Sequence, residues 1–219
     1  MNILLLKELP SKVLIGGLEV SISTSFKTSI NFENSIKDYD LEDEEQSRDF
    51  YLNALKLYYP ILNEEFETLT DSDKMLFNHI VDNRNEAINQ LMWFYKCGKE
   101  NVTEEETETK SKEHILDYDY DSRKIISAIL DQYGIDLTET DVHWWKFKYM
   151  IEGLKEEHPI SKIMSIRATD ITTLPKEMRE QYRKLKKICK IPLPIEEVEE
   201  DNEIADILMN GGEIPNQKA

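Results

Sequence analysis

A chain of 219 residues is long enough to bury a core of its own, and this one carries 44 acidic side chains against 27 basic ones, a formal net charge of −17. Such a surface repels phosphate and disfavours general nucleic-acid binding. The 40% hydrophobic content favours folding over disorder, and the two cysteines, Cys97 and Cys189, form neither a C-x-x-C zinc pattern nor a disulfide framework, which suits a reducing compartment.

The opening MNILLLKELP is apolar only from Ile3 to Leu6 and lacks a basic leader, so no export signal is expected. No stretch reaches the roughly 18 to 20 apolar residues of a membrane span. KVLIGGLEVSIS predicts a β-hairpin around Gly16-Gly17, with Val20 and Ile22 alternating with polar neighbours. The apolar spacing then turns helical. Phe26, Ile30 and Ile36 mark a first helix; Phe50, Leu55 and Tyr58 mark a second, closed by Pro60. A long third helix opens with Asp71 as its cap and runs through Leu76, Ile80, Ala87, Leu91 and Phe94 to Gly98.

KENVTEEETETKSKEH is acidic and without apolar periodicity, which predicts an exposed linker over residues 99–114. Beyond it, Ile125, Ile129 and Tyr133 share a helix face and Gly134 is a natural stop. A capping box from Thr138 to Asp141 introduces the WW segment, with Pro159 past its end. ISKIMSIRATDI predicts a short helix and LPKEMREQYRKLKKIC a basic one with Pro175 in its first turn. The acidic tail from Pro192 is expected to stay mobile until bound. The expected architecture is therefore mainly α: a hairpin on a helical domain (1–98), the linker, a second small helical domain (115–191) and a tail (192–219).

Motifs of catalysis are missing. Asp117, Asp119 and Asp121 resemble the start of a calcium loop, but the positions of the loop glycine and the bidentate glutamate hold Ser122 and Ala128. Acids gathered at a helix start account for them. The four histidines show no H-x-x-x-H spacing, and a G-x-S-x-G elbow and a phosphate-cradling glycine loop are both lacking. Cys97 needs a positioned base that the sequence does not reveal. The expectation is a non-enzyme without cofactor or metal.

Adjacent aromatics stand out instead. At about 100° per residue, Trp144, Phe147, Met150, Ile151 and Leu154 share one arc, and Val142, Trp145 and Tyr149 form a second stripe. Trp144 then belongs to the core, with His143 as a satisfied core residue. Trp145, Tyr149 and Val142 are candidates for a partner-binding patch, because aromatics offer large area at modest entropy cost. Burial of both stripes is the competing possibility. Trp93, Phe94 and Tyr95 cannot all enter one core, which adds Trp93 and Tyr95 to the partner-binding candidates. The basic run from Arg179 to Lys190 reads as a solvated face, or as a contact for an acidic partner or for the acidic tail.

LPSKVLIGGLEVSISTSFKTSINFE, FYKCGK, and the block from DYDYDSRKIISAILDQYGIDL through HWWKFKYMIEGL to ISKIMSIRATDI resemble the tail assembly chaperones of long-tailed, non-contractile phages of Gram-positive hosts. The resemblance implies a non-enzymatic protein of the host cytoplasm. Such a protein coats the tape-measure protein, self-associates along it, recruits tail-tube subunits and leaves before the tail is complete. It implies no catalytic residues, no nucleic acid and no membrane. The alternative is an acidic decoy that occupies a host DNA-binding protein, and a third reading is a hydrolase with a site assembled from distant residues.

Overall fold

The computed structural model describes residues 8–99 and 115–192. The segments 1–7, 100–114 and 193–219 lie outside them, and with them the expectations for the leader region, nearly all of the linker and the tail. The described residues form one two-stranded antiparallel sheet and eight α-helices, so the mainly α architecture with an N-terminal hairpin is observed.

The hairpin pairs β1 (Lys12–Ile15) with β2 (Leu18–Ser21), Val13 opposite Val20. Gly16 and Gly17 both have positive φ, 52° and 79°, the backbone that a two-residue turn needs to follow the strand twist. Val13, Ile15, Val20 and Ile22 are buried on one face, as their alternation predicts. The turn itself is tied down by the Gly16 N–H donating to Glu86 Oε2 at 2.8 Å and by His79 Nε2–H donating to the Ile15 carbonyl at 2.7 Å.

Helix α1 (Phe26–Ser35) starts at Ser25, whose hydroxyl accepts the Lys27 N–H. It ends at Ser35, so Ile36 falls in a following 3₁₀ turn and faces outward. Asp43 caps α2 (Glu44–Tyr58), which buries Phe50, Ala54, Leu55 and Tyr58. The expected long third helix is two. Thr70, rather than Asp71, caps α3 (Asp71–Asp82), and α4 (Arg84–Tyr95) follows a break at Asn83. There the Asn83 side chain donates to the His79 carbonyl, and its backbone leaves helical geometry with φ −107° and ψ 30°. Short polar side chains end helices by this local competition.

Helix α5 (Ser122–Tyr133) is stopped by Gly134 in the left-handed region, φ 67°. The acids before it form a self-capping turn: Asp117 Oδ1 accepts the N–H of Asp119 at 2.9 Å and of Tyr120 at 2.8 Å. Burial alone raises the Asp117 carboxyl. The Lys37 ammonium at 2.5 Å and the two backbone N–H donors outweigh it and hold the group below the usual range. Helix α6 (Trp144–Glu152) begins six residues after Thr138, because Thr138 serves a turn on Asp136 and His143 is the actual N-cap. Then come α7 (Pro159–Ala168) and α8 (Lys176–Cys189).

The chain divides within α7, not at the acidic run. One compact unit comprises residues 1–112 and 116–164, the other 113–115 and 165–219. The reason is aromatic packing across the sequence gap. Phe26 of α1 stacks on Phe147 of α6 at 5.0 Å, and Phe32 meets Phe50, Tyr58 and Tyr95 at 5.5, 5.6 and 5.0 Å. Residues 116–164 therefore share one compact unit with the hairpin and helices α1 to α4.

In the first unit, Tyr58 donates its hydroxyl to Ser29 Oγ at 2.8 Å, with both residues fully buried. Tyr58→Phe should cost about 1–2 kcal/mol in urea unfolding by orphaning the serine, and adding Ser29→Ala should recover part of the loss.

Candidate interaction surface

The tryptophan pair is built into the end of α4. Trp144 Nε1–H donates to the Tyr95 carbonyl at 2.8 Å and Trp145 Nε1–H to the Phe94 carbonyl at 2.7 Å. Those carbonyls belong to the last turn of α4, where the helix leaves acceptors without intrahelical donors. Adjacent residues on one helix reach two adjacent carbonyls of another. The rings pack as well as cap: Trp144 stacks on Tyr95 at 5.6 Å and Trp145 meets Trp93 edge-on at 5.4 Å.

The chain past α4 is shaped to admit them. Cys97 and Gly98 both have positive φ, 56° and 73°, and the Gly98 N–H returns to the Trp93 carbonyl at 2.9 Å. A Cβ on Gly98 would lie 2.9 Å from the Trp145 ring. Burial pushes the Cys97 thiol up to about 11, so it is protonated and a poor nucleophile near neutrality.

A second clasp holds the start of α6. The Trp144 N–H donates to the Thr24 carbonyl at 2.7 Å and the Phe26 N–H to the Val142 carbonyl at 2.9 Å, so α1 and α6 share an antiparallel bridge at their first residues. Ser25 Oγ–H adds a bond to Asp141 at 2.7 Å. His143 Nδ1 accepts the Trp145 N–H at 3.1 Å, which leaves Nε2–H to donate to the Pro10 carbonyl at 2.9 Å. The ring is thereby fixed as one neutral tautomer.

This geometry corrects the expected exposure of the partner-binding candidates. Trp145 is 4% exposed and Val142 5%, so neither presents free surface. Trp93 is half-buried against Trp145, and Tyr95 is half-buried with its hydroxyl donating to Glu33 at 2.6 Å. Of the five candidates only Tyr149, 38% exposed, lies outside. Helical angles alone placed Trp145 on a second face; that face is covered by α4, a helix that the linker boundary had assigned to another domain.

The surface feature that the aromatic pattern obscured is α8, in the other unit. None of its residues is buried. At about 100° per residue, Met178, Tyr182, Leu185 and Cys189 fall on one arc with Ile188 at its edge, and Arg183, Lys184, Lys187 and Lys190 lie outside it. Met178 is 41% and Ile188 77% exposed. Hydrogen bonds tie down both ends of the helix: Arg179 donates to the carbonyls of Leu174 and Thr172 at 2.8 and 2.9 Å, and Arg167 to that of Cys189 at 2.6 Å, while Tyr182, Leu185 and Cys189 are half-buried. Its spacing at i, i+4, i+7 and i+11 was the available signal, hidden under a run of lysines. Among the described residues no group of three or more His, Cys, Asp or Glu side chains could hold a metal ion, and no helix is long and apolar enough to cross a membrane.

Trp144→Phe and Trp145→Phe should each destabilise the fold by about 2–4 kcal/mol in urea unfolding, since each leaves a void and removes a cap. A near-wild-type melt for Trp145→Phe would return that residue to the surface. Burial pulls the His143 imidazole below its ordinary 6.5, an effect larger than the opposing bond to Pro10, so the unfolded chain takes up the proton first. The stability this residue contributes is full above about pH 6.5 and is lost as pH falls from there through the lowered folded value. Thermal melts over that window should fall for the wild type, and most of the slope should vanish in His143→Asn, which keeps a side-chain acceptor at the cap.

No curated protein and no solved structure matches the chain. A family model described as Bacteriophage Gp15 protein matches residues 5–191, which takes in both tryptophans, the α4 terminus that they cap and the whole of α8. The chain therefore belongs to the bacteriophage Gp15 protein family.

Proposed function

We propose that this phage protein is a tail assembly chaperone, a non-catalytic binder of the tape-measure protein that also recruits tail-tube subunits and acts in the host cytoplasm. The observation that carries the reading is α8, an amphipathic helix with no buried residue, whose Met178 and Ile188 are exposed and whose Tyr182, Leu185 and Cys189 are half-exposed, in a chain of net charge −17. A tape measure offers extended amphipathic helices, and an apolar stripe flanked by cations suits lateral packing on such a helix. Copies that repeat a modest grip along the partner bind by avidity and still release one by one, while their negative charge keeps the assembly dispersed. The resemblance of the hairpin, FYKCGK and WW blocks to the tail chaperones supports the same role. In this reading the tryptophans build the scaffold and α8 does the gripping.

Co-expression with the tape-measure protein of the same phage should bring that protein from the insoluble to the soluble fraction. Leu185→Asp with Ile188→Asp should abolish the effect while leaving the thermal melt of the chain within about 2 °C, because no residue of α8 is in the core. Unchanged insolubility with the wild type, or full activity in the double variant, would overturn the reading.

A further inference from the structure

The first unit is built on a hydrophobic core; the second turns on a charge. The described residues of the second unit are 115 and 165–192, and among them Arg167, 4% exposed, is the one buried side chain. Ile166, Ile171, Leu174, Tyr182, Leu185 and Cys189 are half-buried. Arg167 lies in the last turn of α7. Its Nε–H donates to the Cys189 carbonyl at 2.6 Å, 22 residues ahead in the chain, and its Nη1–H to the Ile115 carbonyl at 3.1 Å, 52 residues behind. We infer that Arg167 is the positioning residue of α8: its guanidinium, not apolar packing, fixes the C-terminal end of the helix, and α8 can come loose while the first unit stays folded.

The chemistry selects that side chain. The last turn of a helix leaves carbonyls without intrahelical donors and carries the negative end of the macrodipole, so a cation is favoured there. A guanidinium stays charged near neutrality, and a charge taken out of water must keep its donors occupied, which holds Arg167 to one position. Its Nε–H and Nη1–H point in divergent directions and reach carbonyls of two separate segments. A lysine ammonium is a point charge on a flexible stem and lacks that fixed fork. Opening of α8 breaks these bonds but uncovers little apolar area, because no described apolar side chain of the unit is fully buried. Such an opening is local, and denaturant promotes it weakly, since denaturant acts in proportion to the surface exposed. A helix seated in this way leaves and returns without disturbing the aromatic core, which suits a grip that must release. That use rests on the assignment of α8 to the tape measure, whereas the latch is a property of the chain alone.

Hydrogen exchange on the full chain, resolved by mass spectrometry, tests the latch in the wild type, Arg167→Met and Arg167→Lys. Methionine keeps much of the stem and removes every donor. Amides from Leu185 to Cys189 should exchange about tenfold faster in Arg167→Met and by a smaller factor in Arg167→Lys, while those of α4 and α6 stay unchanged. In the wild type, urea below the unfolding transition should leave α8 exchange nearly constant and speed that of α4 and α6 steeply. Trp93, Trp144 and Trp145 all lie in the first unit, so the urea midpoint followed by tryptophan fluorescence should not move in either variant. Unaltered α8 exchange in Arg167→Met would overturn the inference, because an apolar side chain would then seat the helix as well. So would equal acceleration in α4 and α6, or a fluorescence midpoint that falls along with α8 protection, because Arg167 would then support the whole fold. Capture of the tape-measure protein by the wild type is measured separately and decides the assignment of α8, so the two readings can fail apart.

Discussion

Two indole N–H groups aimed at two successive carbonyls hold the larger unit together. Residues 8–99 carry the hairpin and four helices, and residues 116–164 carry α5, α6 and most of α7; the acidic run that separates them in sequence has no apolar periodicity. What joins them is the end of α4 received by Trp144 and Trp145, and the shared bridge between Ser25 and His143. Each buried tryptophan removes about 150–250 Å² from water, worth roughly 4–6 kcal/mol before entropy is counted. The hydrogen bonds add less in energy but more in register. A polar ring edge inside a core must find its acceptor, and the end of α4 supplies two in a row.

Local features were largely legible in the sequence. The Gly16-Gly17 hairpin, the stop at Gly134, the closure of α2 near Pro60 and the core positions Ile80, Ala87, Leu91 and Phe94 all follow from period, turn chemistry and caps. Boundaries set by one side chain were not. Asn83 divides a helix whose apolar period continues across it, and His143 takes the capping role that Thr138 and Asp141 had promised. A histidine at an N-cap leaves no pattern, because its fitness depends on Pro10, 133 residues away.

The exposure of the candidate residues was misjudged for a related reason. Counting faces on an isolated α6 gives two apolar stripes, and only one was needed to anchor a small domain. Once α6 is seen to share a core with α1 and α4, the first stripe and, of the second, Val142 and Trp145 are covered, which leaves Tyr149 exposed on α6 and turns attention to α8. There the sequence did carry the signal. Five apolar side chains between Met178 and Cys189 are spaced for one side of a helix, but seven cations up to Lys190 made that helix read as merely solvated.

The clasp also bears on what the covalent chain has to do between Gly98 and Leu116. The aromatic and backbone contacts among the described residues already bring the two flanking portions together. A protease cut, or an inserted stretch of foreign sequence, between residues 100 and 114 would leave the cleaved halves associated through Trp144, Trp145, Phe26 and Phe147. The same logic makes this position the natural place to divide the gene product into two separately produced fragments that reassemble on mixing.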